Sequence, residues 1–381
     1  VAIGTRSIVL ADEANPAGGL TAADYASMAM GFDTLVYPLV TQTFGEPRDV
    51  DGNGKVVIFY TSAVNALTPP GSSAFVGGFF HPRDLFPLRD RDGLAVCQNT
   101  NYAEMFYMLV PDPQGAVNKN VYTRENILQT SLGTIAHEFQ HLINASRRLY
   151  VVKTTHWNEE TWLNEGLSHI SEEVLFYHVA GLAPRQNVNA TLVQSNARVQ
   201  KAFASYMDQN IRRYQRFLEE HETQSPYFVP GTGNDLAMRG ASWAFLRYAA
   251  DRRASGNDTE LWRDLVDGDV IGLANLQQAL GADPRPLVRD WTTAVFTDDV
   301  VPNLEARFTQ PSWNFRSFFG NFPASTRNLA ANGENTVLLR SGSGAYARFG
   351  VAPSLTGTFA ARRTGGEPLP SQVYVTIVRT K

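Results

Sequence analysis

The chain has 381 residues, of which 43% are hydrophobic and 18% charged, and its formal net charge is −4 at pH 7. This length suits two or three globular domains, each with its own hydrophobic core. The weak acidity gives no electrostatic argument for binding nucleic acid, and no apolar run approaches the roughly 18–20 residues of a membrane span.

The first 130 residues predict a mixed α/β lobe whose sheet lines a cleft. The chain starts at Val1 without a methionine or a signal-peptide pattern, so we expect a processed product or an expression boundary there. Thr21 is expected to cap a helix that runs to about Phe44. Short runs rich in β-branched and aromatic residues predict strands at residues 7–10, 56–61, 75–80 and 105–110.

A polar stretch before the second of these strands is a candidate calcium loop. Asp49, Asp51 and Asn53 place oxygen ligands at alternate positions, with glycines between and after them. The bidentate glutamate expected at the twelfth position is replaced by Tyr60. The alternative interpretation is a polar turn that leads into the strand at residues 56–61.

Residues 137–141 read His-Glu-Phe-Gln-His and carry the clearest chemical signal in the chain. Residues four apart lie on one face of a helix, so His137 and His141 would point into one space with Glu138 beside them. Two neutral imidazoles at this separation form half of a tetrahedral zinc site. The alternative is a helix that carries two histidines and a solvated glutamate without a metal.

The residues around this motif favour the metal. A buried polar group without a partner costs about 1–3 kcal/mol, and a zinc ion would satisfy both histidines and the glutamate. The apolar positions that predict burial of this helix are Ile135, Ala136, Phe139, Leu142 and Ile143.

A catalytic zinc needs a third protein ligand, and a glutamate from a second helix is the best candidate. The metzincin continuation is excluded, because Asn144 and Arg147 stand where it requires glycine and histidine. No Gly-Thr-x-Asp segment follows to supply an aspartate ligand. Glu165 lies in a second helical pattern, and the 23 residues between His141 and Glu165 allow an antiparallel return.

Residues 164–168 (Asn-Glu-Gly-Leu-Ser) resemble the glutamate-ligand helix of thermolysin-like enzymes, the gluzincins. His169 stands where these enzymes carry the aspartate that orients the first zinc histidine. That carboxylate could come from Glu172 or Glu173 one turn further on, or a backbone oxygen could replace it. His169 is interpreted as a surface residue or as a hydrogen-bond partner behind the ligands, with a role as a rival ligand as the alternative.

Four segments resemble the hyicolysin family of secreted bacterial neutral metallopeptidases. They are residues 104–108, 136–143, 162–166, and 272–276 with Trp291 beyond. The resemblance implies a zinc endopeptidase that acts on proteins and peptides outside the cell. In gluzincin-like folds an edge strand pairs with the substrate backbone, and residues 77–80 are expected near that edge.

Residues 131–325 predict a mainly helical lobe that carries the zinc helices, and residues 326–381 predict a small antiparallel β module. The helical segments are 196–220, 235–253, 259–266, 272–280 and 286–296, and the strands are 336–339, 345–349 and 372–378. We therefore expect an α+β, zincin-like metallopeptidase with an N-terminal α/β lobe, a helical C-lobe and this C-terminal module.

The candidate ligands define a mechanism. Zinc held by His137, His141 and Glu165 leaves a position for water, whose pKa it lowers, while Glu138 acts as general base and then as general acid. Two alternatives are a zinc-containing binding protein without catalysis and a zinc hydrolase with a non-peptide substrate.

No motif identifies the group that stabilises the oxyanion. Its candidates are Arg239, Tyr227, His156 and His221, each with a surface or packing role as the alternative. His81 and His178 carry no motif and are interpreted as structural, and the lone Cys97 as a small buried hydrophobe.

Overall fold

The computed structural model describes residues 2–91, 93–228, 234–253 and 256–380 as a mixed α/β protein. Its strands are β1 (Ala2–Ile3), β2 (Ser7–Ala11), β3 (Val56–Tyr60), β4 (Gly78–Phe80), β5 (Met105–Met108), β6 (Thr326–Asn328) and β7 (Tyr346–Arg348). Its α-helices are α1 (Ala22–Gly31), α2 (Tyr37–Phe44), α3 (Ser62–Ala66), α4 (Arg124–Arg147), α5 (Thr161–Ala180), α6 (Ala190–Ser195), α7 (Ala197–Tyr206), α8 (Asp208–Glu219), α9 (Leu236–Asp251), α10 (Asp258–Val266), α11 (Gly272–Leu280) and α12 (Arg285–Thr297).

Five strands form one sheet in the order β1-β2-β3-β5-β4. The strands β2, β3 and β5 are parallel, and the two outer strands pair antiparallel with their neighbours. In β3 the buried residues Val56, Ile58 and Tyr60 alternate with partly exposed ones, the pattern of a strand with one core face. The four strands predicted in this region are therefore confirmed, although the third begins only at Gly78. The strand β4 forms one edge of the sheet.

The helical stretch predicted from Thr21 to Phe44 is confirmed. Thr21 and Asp24 form a reciprocal capping box at the start of α1. A π-helical turn at Phe32–Val36 joins α1 to α2, which ends at Phe44. The ring of Phe32 lies 5.0 Å from that of Phe139 in an edge-to-face contact, so this layer packs against α4.

The helices α4 and α5 lie antiparallel across the centre of the molecule. Asn144 near the end of α4 donates to Asn164 near the start of α5 at 2.8 Å. Further along, Ser171 of α5 donates to the carbonyl of Ala136 at 2.9 Å. The residue pairs thus run in opposite directions, as predicted for the two zinc helices. The boundary predicted at residue 130 falls inside α4.

The helices that follow α5 pack through buried tryptophans and close crossings. The segment predicted as one helix at 196–220 is divided at Met207 into α7 and α8. The helices α8 and α9 touch at Gly240, where an added Cβ atom would lie 2.2 Å from the backbone nitrogen of Tyr214. Within the described part of the chain, no helix is both long and apolar enough to cross a membrane.

The C-terminal segment differs from its prediction. The strands β6 and β7 pair in parallel, whereas the sequence predicts an antiparallel module. The predicted strands at 336–339 and 372–378 have no ladder partners among the described residues. Their apolar side chains stay outside the core, since Leu338 is 71% and Ile377 is 67% exposed. Without a second layer to cover it, an apolar strand face gains no burial energy.

Candidate metal centre

Three side-chain donors from α4 and α5 converge at one point. His137 Nε2 lies 3.2 Å from His141 Nε2 and 3.3 Å from Glu165 Oε2, and His141 Nε2 lies 3.8 Å from the same oxygen. Donors bound at 2.0–2.2 Å to a tetrahedral zinc ion are separated by about 3.3–3.6 Å. Glu165 Oε2 is buried and makes no hydrogen bond within the described structure. These residues therefore fit a zinc ion by spacing, by chemistry and by the unsatisfied oxygen.

Glu172 supplies the carboxylate that the sequence left open. Its Oε1 lies 2.8 Å from His137 Nδ1 and 3.1 Å from His169 Nδ1. Its Oε2 accepts a hydrogen bond from Asn210 Nδ2 at 2.6 Å. An acceptor on Nδ1 fixes the tautomer that leaves Nε2 free for a metal. Glu173 is instead bound to the indole of Trp313 at 2.6 Å, away from these imidazoles.

His169 is fully buried, so its interpretation as a surface residue is wrong. The donor atoms of His137, Glu165 and His169 also lie within 4.8 Å of one another, which makes a second possible donor set. His169 resembles His137 in this respect, since its Nδ1 faces Glu172 and its buried Nε2 has no hydrogen-bond partner within the described structure. The set with His141 has spacings of 3.2, 3.3 and 3.8 Å and is the one that the sequence predicts, so we keep it as the candidate ligand set and His169 as the alternative.

Glu138 lies between the donors and the edge of the sheet. Its Oε2 accepts a hydrogen bond from the backbone N–H of Phe80 in β4 at 2.9 Å. Burial raises the pKa of Glu138 to about 7, against the lowering effect of His137. An added Cβ atom at Gly78 would lie 3.2 Å from Glu138 Cγ, so β4 approaches this carboxylate closely.

The charges around the donors are strongly coupled. Burial lowers the pKa of His141 to about 4, which keeps its imidazole neutral at physiological pH. Burial disfavours the ionised form of Glu165, but Arg239 and the two histidines outweigh it and hold the pKa well below its usual value. Burial also opposes the charged form of His137, yet the facing carboxylates raise its pKa to about 9.

The donors open into a cleft of about 650 Å³. One wall is β4 with the residues before it, and the other is the junction of α7 with α8. The second wall includes Tyr206, Gln209 and Arg213, none of which carries a sequence motif. Sequence reasoning missed these residues and Asn210 because only the fold brings α8 to the cleft.

Of the candidates for oxyanion stabilisation, Arg239 lines this cleft. Its Nη2 lies 2.8 Å from Glu165 Oε1, so it holds the candidate metal ligand. Tyr227, His156 and His221 lie outside the cleft lining. His221 Nδ1 donates instead to the carbonyl of Gly344 at 2.6 Å.

His81 and His178, which the sequence analysis interprets as structural, do not line the cleft. His81 caps a short 3₁₀ helix at Pro82–Leu85, and His178 is an exposed residue in the last turn of α5. Cys97 is a free thiol that is partly exposed rather than buried as predicted.

The candidate calcium loop forms a polar turn. Asn53 Oδ1 accepts from the backbone N–H of Lys55, and Asp49 accepts from the N–H groups of two glycines. Carboxylate oxygens of Asp49, Asp51 and the buried Glu104 lie within 4.8 Å of one another, but the two aspartates are exposed. Asn53 is therefore committed to the turn, and calcium gains no support.

Comparison with known proteins points to the same class of protein as the donor set. No protein-family model matches the chain. The chain is similar to the neutral metalloprotease ShpI of Staphylococcus hyicus, with 34% identity over 143 residues. The match covers 38% of this chain and only 29% of the length of that relative. The similarity supports a metallopeptidase and, with it, zinc as the metal.

Proposed function

We propose that this chain is a zinc-dependent endopeptidase of the hyicolysin type, acting on proteins or peptides outside the cell. His137, His141 and Glu165 are the proposed metal ligands, and Glu138 is the proposed general base. One observation carries the proposal: three donors with the spacing of a zinc site stand beside a buried carboxylate at the floor of an open cleft.

The residues divide the work of peptide hydrolysis. Zinc, when bound, supplies Lewis acidity to the attacking water and to the peptide carbonyl. Glu138 accepts the proton of that water and delivers it to the leaving amine. The N–H of Phe80 holds Glu138 Oε2 in place, and Glu172 orients the ring of His137. Ser168 Oγ lies 3.0 Å from Nδ1 and 3.4 Å from Nε2 of His141, against the second ring.

Casein hydrolysis by the wild type and by Glu138→Gln, both prepared with zinc, tests the proposal. We expect the variant to lose activity by at least about 10²–10⁴-fold, because it lacks the proton acceptor. Its zinc content, measured by atomic emission, should equal that of the wild type, because the donors are unchanged.

Equal activity in the two proteins would rule out Glu138 as the base. Full zinc occupancy without hydrolysis by the wild type would favour a non-catalytic zinc-binding protein. A substrate panel in which only non-peptide substrates are cleaved would identify a different zinc hydrolase.

A further inference from the structure

A second arginine, Arg213, lines the cleft beside the candidate metal centre. It lies on α8 and is partly buried. Its Nη1 donates to Asn210 Oδ1 at 2.9 Å, and its Nη2 donates to Gln209 Oε1 at 3.0 Å. Both partners are neutral amides, and no carboxylate among the described residues forms an ion pair with Arg213. The guanidinium charge therefore has no direct counter-ion.

The neighbouring arginines are different. Arg239 is paired with Glu165 at 2.8 Å. Arg212 points to the exposed side of α8 and pairs with Asp208 at 2.8 Å, which neutralises the acidic residue nearest to Arg213 along the helix. Arg213 is thus a cation on this wall whose direct hydrogen-bond partners carry no charge.

The fold explains why Arg213 faces the cleft without a counter-ion. The close crossing at Gly240 brings the backbone of Arg213 against α9, one residue from Arg239. Glu172 is the nearest buried carboxylate behind it, but two imidazoles and the amide of Asn210 already occupy its oxygens. Asn210 therefore stands between Glu172 and Arg213, so the charge of Glu172 acts on Arg213 only across this neutral amide.

The free N–H groups of Arg213 suit a planar anion. A guanidinium has five N–H donors, and the two amide contacts use one on each terminal nitrogen. The remaining donors can form the paired hydrogen bonds that arginine makes with a carboxylate. Burial lowers the pKa of Arg213, so an anion in the cleft would relieve the cost of this charge.

We propose that Arg213 forms a carboxylate subsite of the cleft, which binds an acidic side chain or the free C-terminal carboxylate of the substrate. The proposal rests on the proposed peptidase function and names a preference of that same site. Arg213 acts here as a specificity-determining residue, separate from the proposed ligands and base.

Peptide binding to the zinc-loaded Glu138→Gln protein tests the subsite without turnover. Fluorescence anisotropy would compare octapeptides in which Glu or Gln occupies each position in turn, every peptide with a free or an amidated C terminus. We expect one carboxylate to tighten binding about tenfold, the effect of a single charge-assisted contact. Adding Arg213→Gln should abolish this preference and leave the affinity for neutral, amidated peptides unchanged.

Arg216→Gln is the matched control, since Arg216 is an exposed arginine on the same helix and does not line the cleft. It should keep the preference, because it removes the same charge from α8 but leaves the cleft lining unchanged. A preference for Glu over Gln identifies an acidic side chain as the ligand, and a preference for the free acid over the amide identifies the chain terminus.

Two results would overturn the proposal: no carboxylate preference in the parent protein, or equal weakening of all peptides by Arg213→Gln, which indicates a structural role. Casein hydrolysis by the otherwise unmodified chain keeps the two proposals apart. Hydrolysis without a carboxylate preference would contradict only the proposed subsite. A carboxylate preference without hydrolysis would contradict only the proposed peptidase function.

Discussion

Glu172 shows how one side chain can organise two imidazoles. It lies seven residues after Glu165, one turn beyond His169, which occupies the position of the aspartate in the gluzincin pattern. From there its carboxylate contacts both His137 and His169, while Asn210 holds its other oxygen. The ring that would bind the metal is therefore fixed by a network of three donors on one carboxylate.

At the residue scale, the two donor sets predict different outcomes for two alanine variants. His141→Ala should reduce zinc affinity by well over the roughly 10–100-fold seen for partners behind the ligands, because it removes a proposed ligand. His169→Ala should retain one zinc per chain, because it removes only a contact to Glu172. Equilibrium dialysis against a zinc buffer measures both affinities. Loss of zinc in His169→Ala with full occupancy in His141→Ala would reverse the assignment.

At the element scale, the crossing of α8 and α9 sets the shape of the cleft wall. Gly240→Ala should destabilise the fold by about 1–3 kcal/mol or more, because the new Cβ atom would lie 2.2 Å from one backbone nitrogen. Urea denaturation measures the free energy of unfolding. Gly320→Ala is the control, since an added Cβ atom there meets nothing within 4 Å. Equal stability of the two variants would contradict a tight crossing.

Elements with local signals could be predicted from the sequence. The cap at Thr21, the core strands and the two central helices follow from capping chemistry and from the spacing of apolar residues. The convergence of His137 and His141 follows from helix geometry alone. The prediction of Glu165 as the third ligand also depended on a family resemblance, because nothing local shows that α5 returns antiparallel to α4.

The features of the site and the fold that the sequence could not predict depend on contacts between distant segments. The sequence could not choose between Glu172 and Glu173, because the two differ only by the rotation of α5 against its neighbours. Asn210 reaches Glu172, and Arg213 reaches the cleft, through the break at Met207 and the crossing at Gly240, neither of which leaves a periodic pattern. The C-terminal strands were predicted from alternating apolar and polar residues. This pattern indicates an apolar face but does not show whether another layer of the structure covers it.

At the scale of the whole molecule, His221 joins the turn after α8 to the C-terminal segment. It is 2% exposed, donates to the carbonyl of Gly344 and makes a tilted ring contact with Tyr346 at 4.8 Å. Burial lowers the pKa of His221, and the nearby Arg327 acts in the same direction. Arg327 is itself paired with Glu222. The neutral imidazole is therefore the form that holds the two parts together.

This arrangement predicts a pH dependence of stability. The unfolded chain binds the proton of His221 near pH 6.5 and the folded chain only at lower pH, so protonation favours unfolding. The contribution of His221 is full above pH 6.5 and is lost as the pH falls toward the folded pKa. Urea denaturation between pH 5 and 8 should show a shallower acid loss in His221→Asn than in the wild type.

The exposed His178 provides the control for this series, and His178→Asn should follow the wild-type curve. A His221→Asn curve parallel to that of the wild type would show that His221 does not titrate with unfolding. Zinc is kept saturating throughout, so that acid release of the metal affects all three proteins alike.

The hydrogen bond from Phe80 to Glu138 ties the proposed base to the outermost strand of the sheet. A peptide that extends the sheet along β4 would be positioned by the backbone that also fixes the base. Backbone groups in a strand alternate in direction, so a slip of one residue would turn the scissile carbonyl away. The backbone register of a peptide on β4, rather than contacts with its side chains, would then decide which peptide bond faces Glu138.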